Sequence, residues 1–270
     1  DMIEPEVSPQ QFIDAIRTAT RGTTQDGVGW RTDWLKQWLP PPRQKRRDGG
    51  DFDAQSTKDV LGNIRAYSIG MASAAFDFDD ETYEDLSSGK GISLVKKDGT
   101  DRPTVTPLVF RRIGMRALLQ QARPDLNEYY APRHQHCCGT KGALEKLATL
   151  RRTRTQQEPD RVNYNADERN GFGCISRKEV CEGLERLGAA KPELLWMRRM
   201  FQRFYRHDPK VFFQVLREFK EQVVLRGLFQ GDGAGMVLFA AGADNPITQL
   251  VTEFPDHEIE CFADDLHGSA

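Results

Sequence analysis

The sequence predicts an α+β fold on three observations. Apolar residues recur at helical spacing in several separate stretches, short β-branched segments form hairpins between those stretches, and no strict βαβ alternation joins them. With 38% hydrophobic and 29% charged residues, the 270-residue chain can bury one sizeable core or two small ones. Thirty-eight Lys plus Arg against 40 Asp plus Glu leave a formal charge of -2. That balance removes the simple argument from a uniformly basic protein to a nucleic-acid partner, so any basic surface must be local.

The elements follow in chain order. Ser8-Pro9-Gln10-Gln11 can cap a helix whose apolar face holds Phe12, Ile13 and Ile16. Trp30, Trp34, Leu35 and Trp38 make a second helical stripe, stopped by Pro40-Pro41-Pro42 and the basic loop RQKRRDGG. Residues 57–75 read as a third helix, followed by the acidic surface passage FDFDDETYEDLSSGK. From Gly91 the period changes: ISLV, the turn Lys97-Asp98-Gly99-Thr100 and RPTVTP predict a hairpin. Helical spacing returns over 108–121 and 140–152, and a strand is expected over 161–166. Ser176-Arg177-Lys178-Glu179 is a capping box for a helix ending near Gly188. Pro192 opens another, with Leu194, Leu195, Met197, Phe201 and Phe204 inward. A hairpin over 211–226, a buried helix over 233–241 and a strand over 258–262 complete the pattern.

No run approaches the roughly eighteen apolar residues of a membrane span, and DMIEPEVSPQ is acidic where a secretory signal would be basic and then apolar. An intracellular protein with no membrane partner is expected. Five cysteines, an odd number without framework spacing, fit reduced thiols. His134, His136, Cys137 and Cys138 are too close together to close a tetrahedral zinc site readily and read as a turn before a helix.

Two acidic sites stand where strands are expected to end: Asp167 after RVNYNA, and Asp264-Asp265 after IECFA. Carboxylates gathered at strand ends can hold Mg²⁺, which takes few protein oxygens and leaves positions for water and substrate phosphates. Two such ions can run phosphoryl transfer by activating the attacking hydroxyl and stabilising the leaving oxygen.

The residues around these sites resemble the reverse transcriptases, in particular those of non-LTR retrotransposons. Asp167-Glu168-Arg169-Asn170-Gly171-Phe172, continued by GCISR, resembles the family's D-x-x-N-A-F with its later Ser-Arg pair. Phe262-Ala263-Asp264-Asp265 resembles its Y/F-A-D-D motif. Gly227-Leu228-Phe229-Gln230-Gly231-Asp232, followed by GAGMVLF, is similar to G-x-x-Q-G-D-P and the apolar helix after it. Upstream, Lys96-Lys97-Asp98-Gly99-Thr100-Asp101-Arg102-Pro103 resembles the fingers hairpin K-x-D-G-x-x-R-P. Pro132-Arg133-His134-Gln135 with GTKGALE resembles the P-x-x-Q-x-G region, and GTTQDGVGWRTDWLKQWL resembles the opening P-G-x-D-G segment. The likeness covers residues 20–270.

The resemblance implies a right-hand polymerase with an antiparallel palm sheet and packed helices. Residues 1–88 would be a helical region leading into the fingers, and 89–270 the fingers and palm core, incomplete at the C-terminus. A chain that starts without Met and stops at LHGSA reads as a fragment whose thumb is missing and whose second catalytic-hairpin strand has barely begun. Such a fragment is expected to be inactive alone. The implied activity is RNA-directed DNA synthesis from deoxynucleoside triphosphates (dNTPs) on an RNA template and DNA primer, with Mg²⁺ or Mn²⁺. Asp167 and Asp264 would be the metal ligands, supported by Asp265. Phe172 would exclude a ribose 2′-hydroxyl, Lys97 and Arg102 would reach the triphosphate, and Gln230 and Gly231 would flank the base and sugar. Arginines 111, 112, 116, 151, 152, 154, 198, 199, 203 and 206 could track a template backbone. The alternative reading is an inactive or domesticated remnant that binds RNA without catalysis. Departures from the family pattern are Gly171 for Ala, Gly233 for Pro, Phe262 for the commoner Tyr, and Asn163 and Asn165 in a strand expected to be mostly apolar.

Overall fold

A computed structural model describes residues 3–19, 25–26, 28–39, 54–95, 99, 101–138, 143–158, 160–167, 171–215 and 218–270. The basic loop 43–50 and Lys97 lie outside the described residues, as do the side chains of Arg102 and Asp167.

Helix α1 (Pro9–Thr18) carries the complete capping box that its sequence predicts: Ser8 Oγ accepts from the Gln11 amide, and Gln11 returns the bond to Ser8 N. Helix α2 (Thr32–Gln37) holds part of the tryptophan stripe, with Trp30 at 5.9 Å from both Trp34 and Trp38. Helix α3 (Ala54–Ser73) follows. The acidic passage, expected only as surface, folds into α4 (Asp80–Ser87) because Asp79 caps it and Asp80 and Glu81 suit its first turn. Helix α5 (Val109–Tyr130) runs a full two turns beyond its predicted end, straight through Pro124. Burial of Leu126, Tyr129 and Tyr130 in the main core outweighs the backbone bond the proline removes.

The four-stranded sheet has the order β2-β1-β4-β5, with β1 (Gly89–Val95) antiparallel to β2 (Asp101–Thr106) and parallel to β4 (Lys210–Val215), which pairs with β5 (Glu218–Val223). Both predicted hairpins are therefore present and joined in one sheet. The second sheet, β3 (Asn163–Asp167), β7 (Asp265–Ser269) and β6 (Glu258–Phe262), is antiparallel with β7 in the middle. This corrects the expectation of a barely begun strand: the five residues Asp265–Ser269 pair along both neighbours. The asparagines of β3 are explained by the face they occupy. Asn165 Oδ1 lies 2.9 Å from His267 Nδ1, and Asn163 donates to Thr155 Oγ1 of α6 (Ala143–Gln157). The other face is apolar, with Ile259 and Cys261 packed against Ile247 and Leu250 of α10 (Gly235–Glu253).

The main core lies between the helices, where α10 crosses α8 (Arg177–Ala190), α5 packs on α3 and α1, and α9 (Trp196–Tyr205) packs on α8 and α4. Gly183 makes the α8–α10 crossing possible, since a Cβ there would fall 1.9 Å from the Ala241 carbonyl oxygen. Ser176 caps α8 through the Glu179 amide as predicted.

One buried ion pair anchors the 227–232 segment to this core. Asp232 accepts from Arg111 of α5 at 2.7 Å, from Tyr205 Oη of α9 at 2.9 Å and from its own Ala234 amide at 3.0 Å. Arg111 lies 3.9 Å over the Phe204 ring, and both charged side chains are 2% exposed. Burial and the adjacent carboxylate push the Tyr205 phenol well above its ordinary range, so it stays a donor. A strap over residues 131–138 runs beside β6, linked by Cys261 N to His134 O at 2.7 Å and His136 N to Cys261 O at 2.9 Å. His136 Nε2 also meets Glu260 at 2.5 Å. Burial alone would raise the Glu260 carboxyl, but the His136 hydrogen bond and the charges of His136, His134 and Arg154 outweigh it and hold the group below its usual range.

Two outcomes follow from these contacts. Arg111→Met is expected to cost about 3–5 kcal/mol in chemical denaturation, because it strands the Asp232 carboxylate in the interior, and a loss under about 1 kcal/mol would deny the pair that role. The lowered Glu260 carboxyl contributes stability that is full above its ordinary value of 4.5 and is lost as pH falls through its folded-state value. Melting curves from pH 6 down to pH 3 should therefore show a shallower acid decline in Glu260→Gln than in the unsubstituted chain.

Candidate active site

The site grows from the register of the three-stranded sheet. Asp167, the last residue of β3, lies directly opposite Asp265, the first residue of β7, and Asp265 in turn pairs with Phe262 at the end of β6. Only Ala263 and Asp264 separate β6 from β7. Paired antiparallel residues have Cα atoms about 5 Å apart and neighbours in sequence 3.8 Å, so the backbones of Asp167 and Asp264 come within about 10 Å. Three carboxylate-bearing residues thus share one end of one sheet.

The connecting turn is unusual. Ala263 has φ 55°, in the left-handed region where glycine is the ordinary occupant, at the first position of a two-residue hairpin turn. An alanine held there costs on the order of 1–2 kcal/mol. Asp264 is half-buried and Asp265 exposed. Neither side chain has a hydrogen-bond or ion-pair partner among the described residues. Carboxylate oxygens are the ligands that a hard divalent cation takes, and the neighbouring carboxylates of Asp264 and Asp265 offer them. The donor set therefore fits Mg²⁺ or Mn²⁺. The described residues alone contain no group of three His, Cys, Asp or Glu side chains placed to hold a metal. The Asp167 carboxylate is outside that set, and the register of β3 brings its residue to the site.

A short helix, α7 (Gly171–Cys174), follows Asp167 closely and carries Phe172, whose ring lies 5.0 Å from that of Phe239 on α10. The Phe172 carbonyl accepts from the Leu228 amide at 2.7 Å, which docks the 227–232 segment onto α7. The same segment reaches the other sheet, where the Gln230 carbonyl accepts from Val105 N of β2 at 2.8 Å. Gly231 fits that contact with φ 113°, and a Cβ on it would fall 2.3 Å from the Val105 carbonyl oxygen. A cleft of about 430 Å³ opens beside Asp264, walled mainly by Ala166, Ile175, Phe239, Ile247 and Leu266.

Phe172, Gln230 and Gly231 are thus brought together, and their segment is tied to the hairpin that carries Arg102 opposite Leu94. Lys97 is not placed. Most of the arginines expected to track a template are used within the fold. Arg111 is buried on Asp232, Arg116 donates to Thr18, Arg199 pairs with Glu4, Arg203 donates to Phe78 O, Arg154 pairs with Glu258, and Arg198 pairs with Glu185. Residues that sequence reasoning did not single out do the positioning. Arg177 donates to the carbonyls of Gly227 and Val224 and to Asp208, fastening the start of the Gln230 segment. Its signal was the Ser-Arg pair, which sequence alone could assign only to a motif.

The sequence matches no family model and no curated protein. Solved structures do match. Apo telomerase from Candida tropicalis aligns with TM-score 0.50 and 10% identity, over 78% of this chain and 44% of that one. Telomerase from Candida albicans in complex with a TWJ fragment of telomeric RNA gives 0.49 and 12%, over 80% and 42%. C. tropicalis apo telomerase truncated from the C-terminal domain gives 0.48 and 9%, over 78% and 49%. The chain spans less than half the length of each of these neighbours. At such identities the likeness concerns architecture alone: the chain shares the mixed α+β fold of the apo telomerase structure, with an antiparallel three-stranded sheet and packed helices.

Proposed function

We propose that this chain is the fingers and palm of an RNA-directed DNA polymerase of the non-LTR retrotransposon type, adding dNTPs to a DNA primer on an RNA template. The observation that carries the reading is the register that sets Asp167 against Asp265 with Asp264 in the turn between them. The ordered motifs around these residues support it.

Two Mg²⁺ or Mn²⁺ ions, when bound, would lower the pKa of the primer hydroxyl and neutralise charge on the triphosphate. Asp167 and Asp264 would hold them, with Asp265 as the supporting carboxylate. Phe172, braced by Phe239, would stand against the sugar and reject a 2′-hydroxyl by steric exclusion. Gln230 and Gly231, fixed on β2, would border the base and sugar, while Lys97 and Arg102 of the fingers hairpin would neutralise the triphosphate. The primer 3′-oxygen then attacks the α-phosphorus, a new P–O bond forms, and pyrophosphate leaves with the electrons of the broken bond.

Metal-dependent primer extension tests this in the protein that carries the chain. Asp264→Ala is expected to lower turnover by about 10³-fold or more, the scale of the several kcal/mol that metal-held charge stabilisation supplies. Undiminished synthesis would defeat the site assignment. Phe172→Ala should leave dNTP use largely intact while raising ribonucleotide incorporation about 10–100-fold, read as the ratio of kcat/KM values. RNA binding without any metal-dependent extension would instead favour the inactive, RNA-binding remnant.

A further inference from the structure

The Ala263–Asp264 turn has an internal brace that the proposed chemistry does not by itself require. Gln135 is 1% exposed, yet it belongs to a strap more than a hundred residues from the turn in sequence. Its Oε1 accepts from the Ala263 amide at 3.0 Å, and its Nε2 donates to the Ala263 carbonyl at 3.4 Å. Both backbone polar groups of the turn's positive-φ residue are thus taken by one side chain. The same Oε1 also accepts from the Cys137 amide at 3.3 Å. The Gln135 backbone is itself fixed, with its N–H donating to the Tyr130 carbonyl at 3.1 Å and its neighbours His134 and His136 bonded to Cys261.

The usual way to support a positive φ at this turn position is glycine, which adopts it without strain. Here alanine occupies it, and the compensation comes from outside the hairpin. A two-residue turn has few degrees of freedom, so fixing the Ala263 backbone at both its N–H and its C=O fixes the direction in which the chain enters Asp264. The buried amide is also committed to this arrangement, since withdrawing the turn would leave its Nε2 donor unpaired in the interior and its Oε1 with the Cys137 amide alone.

We propose that Gln135 is the positioning residue of the carboxylate turn: by clamping Ala263 in its left-handed conformation it holds Asp264 in line with Asp167 and Asp265. Its consequence for metal and turnover rests on the polymerase reading, whereas the clamp itself does not. Residues that orient metal ligands from behind typically change metal affinity or activity 10–100-fold when removed.

The test compares the unsubstituted chain with Gln135→Met, Ala263→Gly and the double variant. Amide hydrogen exchange reads the clamp, and Mn²⁺ affinity by electron paramagnetic resonance reads the site. In Gln135→Met, the Ala263 amide is expected to exchange about 10-fold faster or more while the strand amides of β6 and β7 hold. Mn²⁺ should bind about 10–100-fold more weakly. Adding Ala263→Gly should return Mn²⁺ affinity to within about 3-fold of the unsubstituted chain, because glycine needs no clamp to keep this φ. Where extension is measured, kcat should fall with little change in KM for dNTP, a split that general loss of folded protein does not produce. Unchanged Ala263 exchange, equal acceleration of every β6 and β7 amide, or failure of Ala263→Gly to rescue would each overturn the proposal. If Gln135→Met does not fold, Gln135→Asn, which withdraws the amide by one methylene, replaces it with the same expectations. If the unsubstituted chain neither binds Mn²⁺ nor extends a primer, the polymerase reading fails and exchange at Ala263 alone decides the clamp.

Discussion

The buried pair of Arg111 and Asp232 ties the helical core to the segment from which the site is assembled. Asp232 draws on α5 through Arg111 and on α9 through Tyr205, and its own backbone begins the approach to α10. Just before it, Gln230 is bonded to β2 and Leu228 to the Phe172 carbonyl, so the 227–232 segment touches the hairpin sheet, α7 and the core within a few residues. A buried pair of this kind adds less net stability than equally well-packed apolar groups would. What it supplies here is placement, since three donors from α5, α9 and the start of α10 converge on the Asp232 carboxylate.

The three-stranded sheet solves a related problem with β7. Lying between β3 and β6, this strand sets Asp167 against Asp265 and Phe262 by register alone. A slip of one residue would turn every side chain to the opposite face, exchanging the polar set of Asn165, Glu260 and His267 for the apolar set packed on α10. The polar face is bonded in its own right, through Asn165 to His267, Arg151 to His267 and Arg154 to Glu258. Register is therefore specified from both faces, and it is this register that sets Asp167 opposite Asp265 at the sheet's end.

Much of this was legible in sequence because it is local. Caps, apolar spacing and hairpin patterns located the helices and strands, and ordered motifs marked Asp167, Phe172, Gln230 and the Asp264 pair. Helix α4 was missed because its acidic surface masked a good cap at Asp79, and the extent of α5 because a proline reads as a stop until tertiary burial beyond it is known. The arginines show the limit most clearly. In sequence Arg111, Arg112 and Arg116 form a basic helical series, yet one is buried on a carboxylate 121 residues away and another is tied to Thr18. Charge is a property of composition, but availability depends on what packs beside it.

By itself the sequence determined the class of fold, the identity of the acidic residues and their order, since these depend on spacing and residue type. Tertiary structure alone decided that β7 pairs with both β3 and β6, that Asp232 is an anchor, and that Gln135 meets Ala263 across 128 positions of chain. The physical reason is common to all three. Strand register, buried charge and a clamp on a strained turn are interactions between segments distant in sequence, and no local pattern records a partner that only folding brings near.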